Sequence, residues 1–429
     1  MIFLKNRYTL LWISSIVVTC ISWAQTVEGV VRDRLTGSSL SYATVGSDGG
    51  DGAVCNHEGV FQIRVSERLN QLKIGHAGFK TRVIEVSDTE DIVIDMERDT
   101  FSFREVMVTA QSKSGYEILQ EAMEEMEDGY HANSLNSDAF YREIVQLDLN
   151  EYQVQDSIFE FMPLTGKRIA EAALKSYIPG HAGRQFYKKS SYQLENGRYI
   201  ETNQEFESML DSQMNDLVMN VKVKGGLEKL EEATIKEFYY DDFLTNKKLY
   251  DHKIQRMVNF NGRIAYEIQV EPKRVKKFLY KGRVLVDKET KAIVYLEYAK
   301  SKRHLKYANH IKLLGIDATT KQDSVQFVYE YINKEWVLKY AHVYELLSVN
   351  INRKIDTKKT HIQCDLITDL ALLHTQHYTE NVSPIPTDKL FKKRDQLAEK
   401  YTISYDPKFW ENKTILPLDS KIQEELEAL

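Results

Sequence analysis

A succession of hairpin signals in the second half of the chain limits the fold more than any other feature. Residues 252–259 and 263–270 alternate apolar and polar side chains and are joined by Asn261-Gly262, a strong turn signal for a β-hairpin. Two more strand pairs follow, 282–287 with 292–298 and 325–332 with 336–346. Strands joined in this way form an antiparallel meander. The region 236–385 is therefore predicted to be a curved antiparallel sheet, or half-barrel.

The first part of the chain also has a period of two, in shorter segments. Apolar runs between residues 27 and 96 are separated by turn residues at 33–37, 49–52, 56–59 and 76–78. About seven short strands with turns at such spacing are typical of an all-β sandwich. Residues 25–110 are therefore predicted to form a Greek-key sandwich, and the fold class is mainly β with some α.

The region 111–235 is predicted to mix helix and strand. Ser114 and Glu117 have the spacing of a capping box, and Gly129 is a suitable helix end. Residues 139–145 and 157–161 have the pattern of strands, and residues 203–221 that of a helix. Residues 386–429 are predicted to form a helical tail.

The first 24 residues have the pattern of a signal peptide. Lys5 and Arg7 precede an apolar stretch at 8–21, and Ser22-Trp23-Ala24 offers small residues for cleavage after Ala24. The stretch is short for a bilayer span, but a retained anchor is an alternative, and Cys20 raises a lipoprotein as another. The expected location is the periplasm or the outer membrane. There a bridge between Cys55 and Cys364 is allowed, although two separate buried thiols are the prediction.

The charges are distributed unevenly. Residues 273–313 contain 13 Lys and Arg against Asp287, Glu289 and Glu297, a local charge of +10 in a chain whose net charge is −6. Such a run is usually a solvated face, and the alternative is attraction to an anionic partner such as lipid headgroups. Nucleic acid is not expected as a partner of an exported acidic protein.

Two histidine arrangements resemble metal ligands. His342 and Glu345 fit the His-x-x-Glu pair of zinc carboxypeptidases, but positions three apart on a strand point to opposite faces. His374 and His377, with His361 upstream, form another possible set, and a surface loop is the competing interpretation.

Other catalytic patterns are weak. Asp241-Asp242 could be a carboxylate pair, but a solvated turn is the favoured interpretation. The chain has no Gly-x-Ser-x-Gly, no phosphate-binding loop and no Cys-x-x-Cys. No catalytic, cofactor-binding or metal-binding residue is predicted, no cofactor is expected, and the protein is predicted not to be an enzyme.

The N-terminal pattern resembles a known module. Val27-x-Gly29-x-Val31 with Asp33, Asn56-x-x-Gly59-x-Phe61-x-Ile63 and Gly78-Phe79 are similar to the carboxypeptidase-regulatory-like domain, a transthyretin-like sandwich of bacterial envelope proteins. The module carries no catalytic residues. It also opens many outer-membrane receptors, where it ends in a strand like residues 105–110, but the rest of this chain does not resemble such a receptor.

The second half resembles lipoprotein carriers of the Gram-negative envelope. Residues 263–270, 281–290 and 293–298 carry this resemblance, which implies a half-barrel whose concave face contacts lipid or lipoprotein. The tail at 405–412 resembles uncharacterised envelope proteins with the same N-terminal module.

These observations lead to three hypotheses. The first is a non-catalytic periplasmic or outer-membrane-associated binding or scaffold protein that holds an apolar or lipid ligand, with an apolar concave surface rimmed by the basic run. The second is an accessory subunit of an outer-membrane receptor or transport system that acts through protein contacts, with a filled core. The third, least favoured, is a hydrolase.

Overall fold

The computed structural model describes most of the chain after residue 24. The described residues are 25–47, 50–65, 71–85, 92–99, 113–129, 133–154, 157–158, 164–180, 190–201, 226–230, 233, 242–274, 276–277, 279–308, 310–313, 315–355, 358–391, 407–411 and 413–427. The predicted signal peptide, the strand at 105–110 and the helix at 203–221 lie outside them.

The N-terminal part is a sandwich of seven strands. They are β1 Gln25–Asp33, β2 Thr44–Ser47, β3 Gly52–Val54, β4 Val60–Val65, β5 Gln71–Gly75, β6 Arg82–Glu85 and β7 Ile92–Met96. One sheet has the order β4-β1-β7 and the other β3-β2-β5-β6. Alternate residues such as Val31, Phe61, Leu72 and Ile94 point between the sheets and are fully buried, which explains the period of two in the sequence.

The following strands form one sheet of twelve. They are β8 Leu135–Val154, β9 Ser157–Ile158, β10 Leu164–Ile178, β11 Ser191–Glu201, β12 Tyr250–Phe260, β13 Arg263–Pro272, β14 Tyr280–Asp287, β15 Ile293–Lys300, β16 His310–Leu313, β17 Ile316–Ile332, β18 Glu335–Ile355 and β19 Lys358–Tyr378. The order is β11-β10-β8-β19-β18-β17-β15-β14-β13-β12, with β16 on β17 and β9 on β8. The meander is thus extended by β8 pairing with β19.

One face of the large sheet is covered by helices and is called the helical face. The helices on it are α1 Gly115–Gly129 and α2 Asp242–Thr245, with a helical turn at 226–230. The short helices α3 Pro407–Glu411 and α4 Ser420–Glu427 lie on the opposite face, where Trp410 packs on Phe140 and the amide of Ser420 donates to Glu58 of the sandwich. On the helical face Phe243 of α2 packs on Tyr298, and the start of α1 lies against β12 and β13. The predicted capping box of α1 is present, because Ser114 and Glu117 exchange hydrogen bonds. Among the described residues, no helix is both long and apolar enough to span a bilayer.

The opposite face carries the sandwich and is called the sandwich face. Tyr42 of the sandwich stacks on Tyr340 of β18, with 5.8 Å between the ring centroids. Thr44 donates to the side chain of Asn261, and Val54 belongs to the same apolar cluster as the large sheet. The C-terminal segment joins both parts, since Asn56 donates to the carbonyl of Leu418.

The predicted fold class is confirmed: the protein is mainly β, with a sandwich followed by a large curved antiparallel sheet. Strands at 135–201 and at 250–378 share that sheet. The hairpin at Asn261-Gly262 is present, and its residues have the positive φ of 53° and 87° that a tight turn needs. Cys55 and Cys364 are separate buried thiols, as predicted. The described tail holds only the short helices α3 and α4 and a single 3₁₀ turn, Thr387–Lys389.

A candidate ligand groove

A groove of about 1110 Å³ lies on the sandwich face of the large sheet. Strands β12–β15 and β17 form its floor, where Ala299 of β15 and Ser324 of β17 are cross-strand partners. Tyr42 of the sandwich and His342 of β18 line it together, with 6.1 Å between their ring centroids. Residues 301–303, which follow β15, complete the lining. Sandwich and sheet therefore both contribute to the groove.

The acidic side chains of the groove are neutralised within it. Glu267 pairs with Arg256 at 2.5 Å and with Arg283 at 3.4 Å, and Arg283 also pairs with Glu297 at 3.3 Å. Glu271 pairs with Lys281 at 2.9 Å. Burial alone would lower the pKa of Arg283, but Tyr295, Glu297 and Glu267 outweigh it and raise the pKa, so the guanidinium stays charged.

The groove has more cations than anions. Six Lys and Arg line it against three Glu, which leaves a surplus of three positive charges. Lys302 and Arg303, which follow β15, line the groove, and Arg303 donates to the carbonyl of Pro272. Within the described part of the chain, no carboxylate pairs with Lys302 or Arg303. An anionic ligand would therefore meet uncompensated positive charge there.

His342 and Glu345 do not come together. His342 lies on the sandwich face, where its Nε2 is 2.8 Å from a carboxylate oxygen of Asp369. Glu345 lies on the helical face and pairs with Lys229. The alternation of the strand separates the two side chains, as the sequence predicted.

His374 and His377 do not lie in a surface loop, and that interpretation was wrong. Both are buried in β19, where an irregularity of register between His374 and Gln376 brings their rings to 5.4 Å. Ser137 Oγ lies 2.9 Å from His374 Nδ1, and His377 Nε2 lies 3.1 Å from Glu330. His361 is far along the same strand, next to Asn352. Among the described residues, no three His, Cys, Asp or Glu are placed to hold a metal ion.

Of Asp241 and Asp242, for which a solvated turn was the favoured interpretation, only Asp242 is described. Asp242 begins α2 and accepts a hydrogen bond from the side chain of Asn246 at 3.0 Å, while Asp241 lies outside the described residues. Asp242 therefore makes a local contact within α2, and it does not line the groove.

Most of the groove could not be predicted from the sequence. The basic run at 273–313 pointed to Lys281, Arg283 and residues 300–303, but not to the face on which they lie. Nothing in the sequence indicated that Tyr42 lines the groove, because its contact with His342 depends on how the sandwich packs against the large sheet. Period-two alternation could have assigned Glu267, Arg283 and Glu297 to one face, since they are cross-strand neighbours on β13, β14 and β15.

A second surface is apolar and lies on the helical face, at the end where the long strands extend beyond β12–β15. We call it the distal apolar rows. One row runs Ala318, Val349, Cys364 and Leu149 across four paired strands. The described side chains of this cluster all belong to strands, and its core members are Leu147, Leu149, Ile316, Ala318, Val349, Ile351, Ile362, Cys364 and Leu366.

Comparisons with known proteins give only distant likenesses. No protein-family model matches the chain, and no curated protein matches it. A LolA-superfamily protein from Nitrosomonas europaea is 8% identical over 65% of this chain and 98% of its own, with a TM-score of 0.18. A putative outer membrane lipoprotein-sorting protein domain from Vibrio parahaemolyticus is 13% identical over 64% and 94%, with a TM-score of 0.19.

A third likeness covers more of the chain. A putative membrane-associated protein of unknown function from Bacteroides fragilis is 10% identical over 83% of this chain and 99% of its own, with a TM-score of 0.15. Such TM-scores establish no shared fold.

Proposed function

We propose that the protein is a non-catalytic binding protein of the bacterial cell envelope, in the periplasm or at the outer membrane, and that it holds an anionic ligand in the groove. The observation that carries the proposal is the charge of the groove. Its three glutamates are already paired with Arg256, Lys281 and Arg283, and Lys302 and Arg303 add positive charge beside them. A cleft with a net positive charge raises the local concentration of negatively charged ligands.

The buried polar clusters support binding over catalysis. The Ser137 and His374 pair has the chemistry of a nucleophile and a base, but each residue is only 1% exposed. A nucleophile has to be reached by its substrate. His377 and Lys339 are engaged with Glu330, and His342 with Asp369. Each of these groups already contacts a charged partner within the protein.

The groove is a better site than the described centre of the helical face. There the side chains of helices fill the space above the strands: Leu119 of α1, Leu227 and Leu230 of the helical turn, and Phe243 of α2 are almost completely buried. Packing of this kind leaves room for a ligand only if the helices move.

The distal apolar rows favour a second candidate function, the holding of an apolar or lipid ligand. Their nine apolar residues on four strands are only 1–8% exposed, so an acyl chain would have to replace what now covers them. Each methylene group buried there would contribute about 0.8 kcal/mol. This candidate differs from the first in face and in ligand chemistry, so one experiment separates them.

That experiment is native mass spectrometry on protein purified from its own envelope, with lipid extraction. Ser324→Trp fills the floor of the groove without changing the charge, and Gln322→Trp, exposed on the same strand, is the matched control. We expect an anionic mass on the wild type and on Gln322→Trp that is lost from Ser324→Trp. Ala318→Phe tests the distal apolar rows in the same way.

Each other outcome has a definite meaning. An acyl lipid that survives Ser324→Trp and is lost from Ala318→Phe would replace the first candidate by the second. A wild type without any bound mass contradicts both. The protein would then be treated as a scaffold or as an accessory subunit of a receptor, and cross-linking in the envelope would identify its partner.

A further inference from the structure

Two basic loops lie side by side at one end of the short strands. The first follows β13 at 273–277, and the second follows β15 at 300–306. The guanidinium of Arg303 donates to the carbonyl of Pro272 at 2.6 Å, and the amide of Ser301 donates to the carbonyl of Leu279 at 2.9 Å. These bonds hold the loops together as a single surface, which we call the basic end.

The basic end has eight cations and no acidic residue of its own. Its cations are Lys273, Arg274, Lys276, Lys277, Lys300, Lys302, Arg303 and Lys306. One described acid outside the loops contacts it, since Asp251 pairs with Lys273 at 3.4 Å. The net charge of the chain is −6, so the rest of the chain carries −14 once these eight cations are set aside. The molecule is therefore strongly polarised, and this end turns towards a negative surface.

Apolar side chains protrude among these charges. Leu305 is 37% exposed in the middle of the second loop, next to Lys306, whose ammonium lies 5.1 Å from the ring centroid of Tyr307. Further along, Ile311 of β16 is 62% exposed beside Lys312. Cations that surround exposed aliphatic and aromatic side chains are the composition of a surface that rests in lipid headgroups.

We infer that the basic end is a docking surface for an anionic lipid bilayer. The cations are spread over two loops, which suits a plane of phosphates, and Leu305 would enter the boundary between headgroups and acyl chains. The inference goes beyond the groove and its ligand, because it concerns where the molecule is held.

The test is co-sedimentation of the full chain with phosphatidylcholine vesicles that contain or lack phosphatidylglycerol. We expect binding only to the anionic vesicles, weakened by salt. Each lysine or arginine at such a surface is worth about 1 kcal/mol, so the triple variant Arg274→Glu, Lys276→Glu, Lys277→Glu should bind at least about a hundredfold more weakly. None of these three residues lines the groove, so a loss here is distinct from loss of the groove ligand.

The matched control reverses three exposed lysines elsewhere, Lys73→Glu, Lys288→Glu and Lys334→Glu, for the same change in net charge. It should keep nearly all of the binding. Leu305→Ser, which alters no charge, should weaken binding several-fold and abolish the part that persists in high salt. Urea unfolding midpoints show whether each variant is folded.

Three results would overturn the inference. The wild type could fail to bind anionic vesicles, the control could lose as much binding as the triple variant, or a fluorescein-labelled polyglutamate could bind to the basic end while vesicles do not. The last result would make the basic end a site for an acidic protein.

Discussion

Tyr42 is the most constrained residue at the contact between sandwich and sheet. Its φ of 62° lies in the left-handed region, which a side chain occupies at a cost of about 1–2 kcal/mol. Its ring stacks on Tyr340 and lies near His342. The aromatic contact therefore holds a backbone conformation that tyrosine alone does not favour.

This arrangement predicts that a glycine variant at this position is more stable than an alanine variant. Tyr42→Ala loses the stacking and keeps the backbone cost, whereas Tyr42→Gly loses the stacking and removes that cost. We expect Tyr42→Gly to unfold at a higher urea concentration than Tyr42→Ala, by about 1 kcal/mol in the free energy of unfolding. Equal midpoints, or alanine above glycine, would contradict the left-handed conformation.

Glu171 lies between two guanidinium groups in the interior. It is 1% exposed and pairs with Arg142 and Arg198. Burial alone raises its pKa, but the two positive charges outweigh this effect and hold the pKa below its ordinary value. Arg142 also donates to the carbonyls of Leu416 and Pro417, so the network fastens the C-terminal segment to the sheet.

Removal of the negative charge of Glu171 should therefore strongly destabilise the folded protein. Glu171→Gln leaves the buried Arg142 without its carboxylate partner, and we expect a loss of about 3–5 kcal/mol in the free energy of unfolding, measured with urea. Asp251→Asn breaks an exposed pair with Lys273 and should cost about 1 kcal/mol or less. A similar cost for the two variants would mean that Glu171 is not buried between its partners.

At the scale of elements, β1 runs between β4 and β7 with little room. A Cβ on Gly29 would collide with the carbonyl oxygen of Ile92 and lie 2.8 Å from the ring of Phe61. The pairing of β1 with β7 is parallel, and Gly29 and Ile92 are direct partners in it. This explains in physical terms why the motif Val27-x-Gly29-x-Val31 has a glycine at its centre.

Two alanine substitutions distinguish this close approach from a general effect of glycine. Gly29→Ala forces the strands apart and should destabilise the protein by about 1–3 kcal/mol. Gly46→Ala on β2, where nothing lies within 4 Å of the added carbon, should change stability by about 0.5 kcal/mol or less. Thermal unfolding of the two variants measures the difference, and an unchanged Gly29→Ala would mean that β1 and β7 do not pair as described.

Local sequence patterns predicted the elements that depend on near neighbours. The hairpin at Asn261-Gly262, helix α1 with its capping box and the seven short strands of the sandwich follow from turn chemistry and alternation. The position of the basic groove did not follow, because it depends on the docking of the sandwich by Tyr42.

The pairing of β8 with β19 could not be predicted from the sequence either. Its partners, such as Tyr141 and Leu372, are more than two hundred residues apart, and periodicity contains no information on such pairs. The burial of His374 and His377 was also missed. The sequence there was interpreted as a surface loop near a domain end, whereas β19 continues to Tyr378, and a bulge between His374 and Gln376 brings the two rings together.

At the scale of the whole molecule, sandwich and sheet share buried contacts. Val54 and Ala77 of the sandwich belong to the main apolar cluster, and the ammonium of Lys339 in β18 reaches Gly52 of β3. Lys339 pairs with Glu330 at 3.2 Å, and His377 lies on the same carboxylate. A charged cluster therefore lies under the contact between the two parts, and its protonation state bears on how they stay together.

The stability of the whole molecule should depend on Glu330 in acid. Burial alone raises its pKa, but Lys339 and His377 outweigh this and lower the pKa from 4.5 to about 2. A lowered pKa means that the stability contributed by the carboxylate is complete above pH 4.5 and is lost as the pH falls towards 2. Glu330→Gln should cost about 3 kcal/mol at neutral pH, because the buried Lys339 loses its partner.

The difference between wild type and Glu330→Gln should therefore shrink between pH 4.5 and about 2, as measured by urea unfolding at a series of pH values. Glu424→Gln, an exposed control on α4, should match the wild type throughout. If the difference stays constant down to pH 2, the carboxylate is not held ionised by Lys339. If it shrinks while tryptophan fluorescence and circular dichroism report one transition, sandwich and sheet unfold together, because the cluster beneath their contact then governs both.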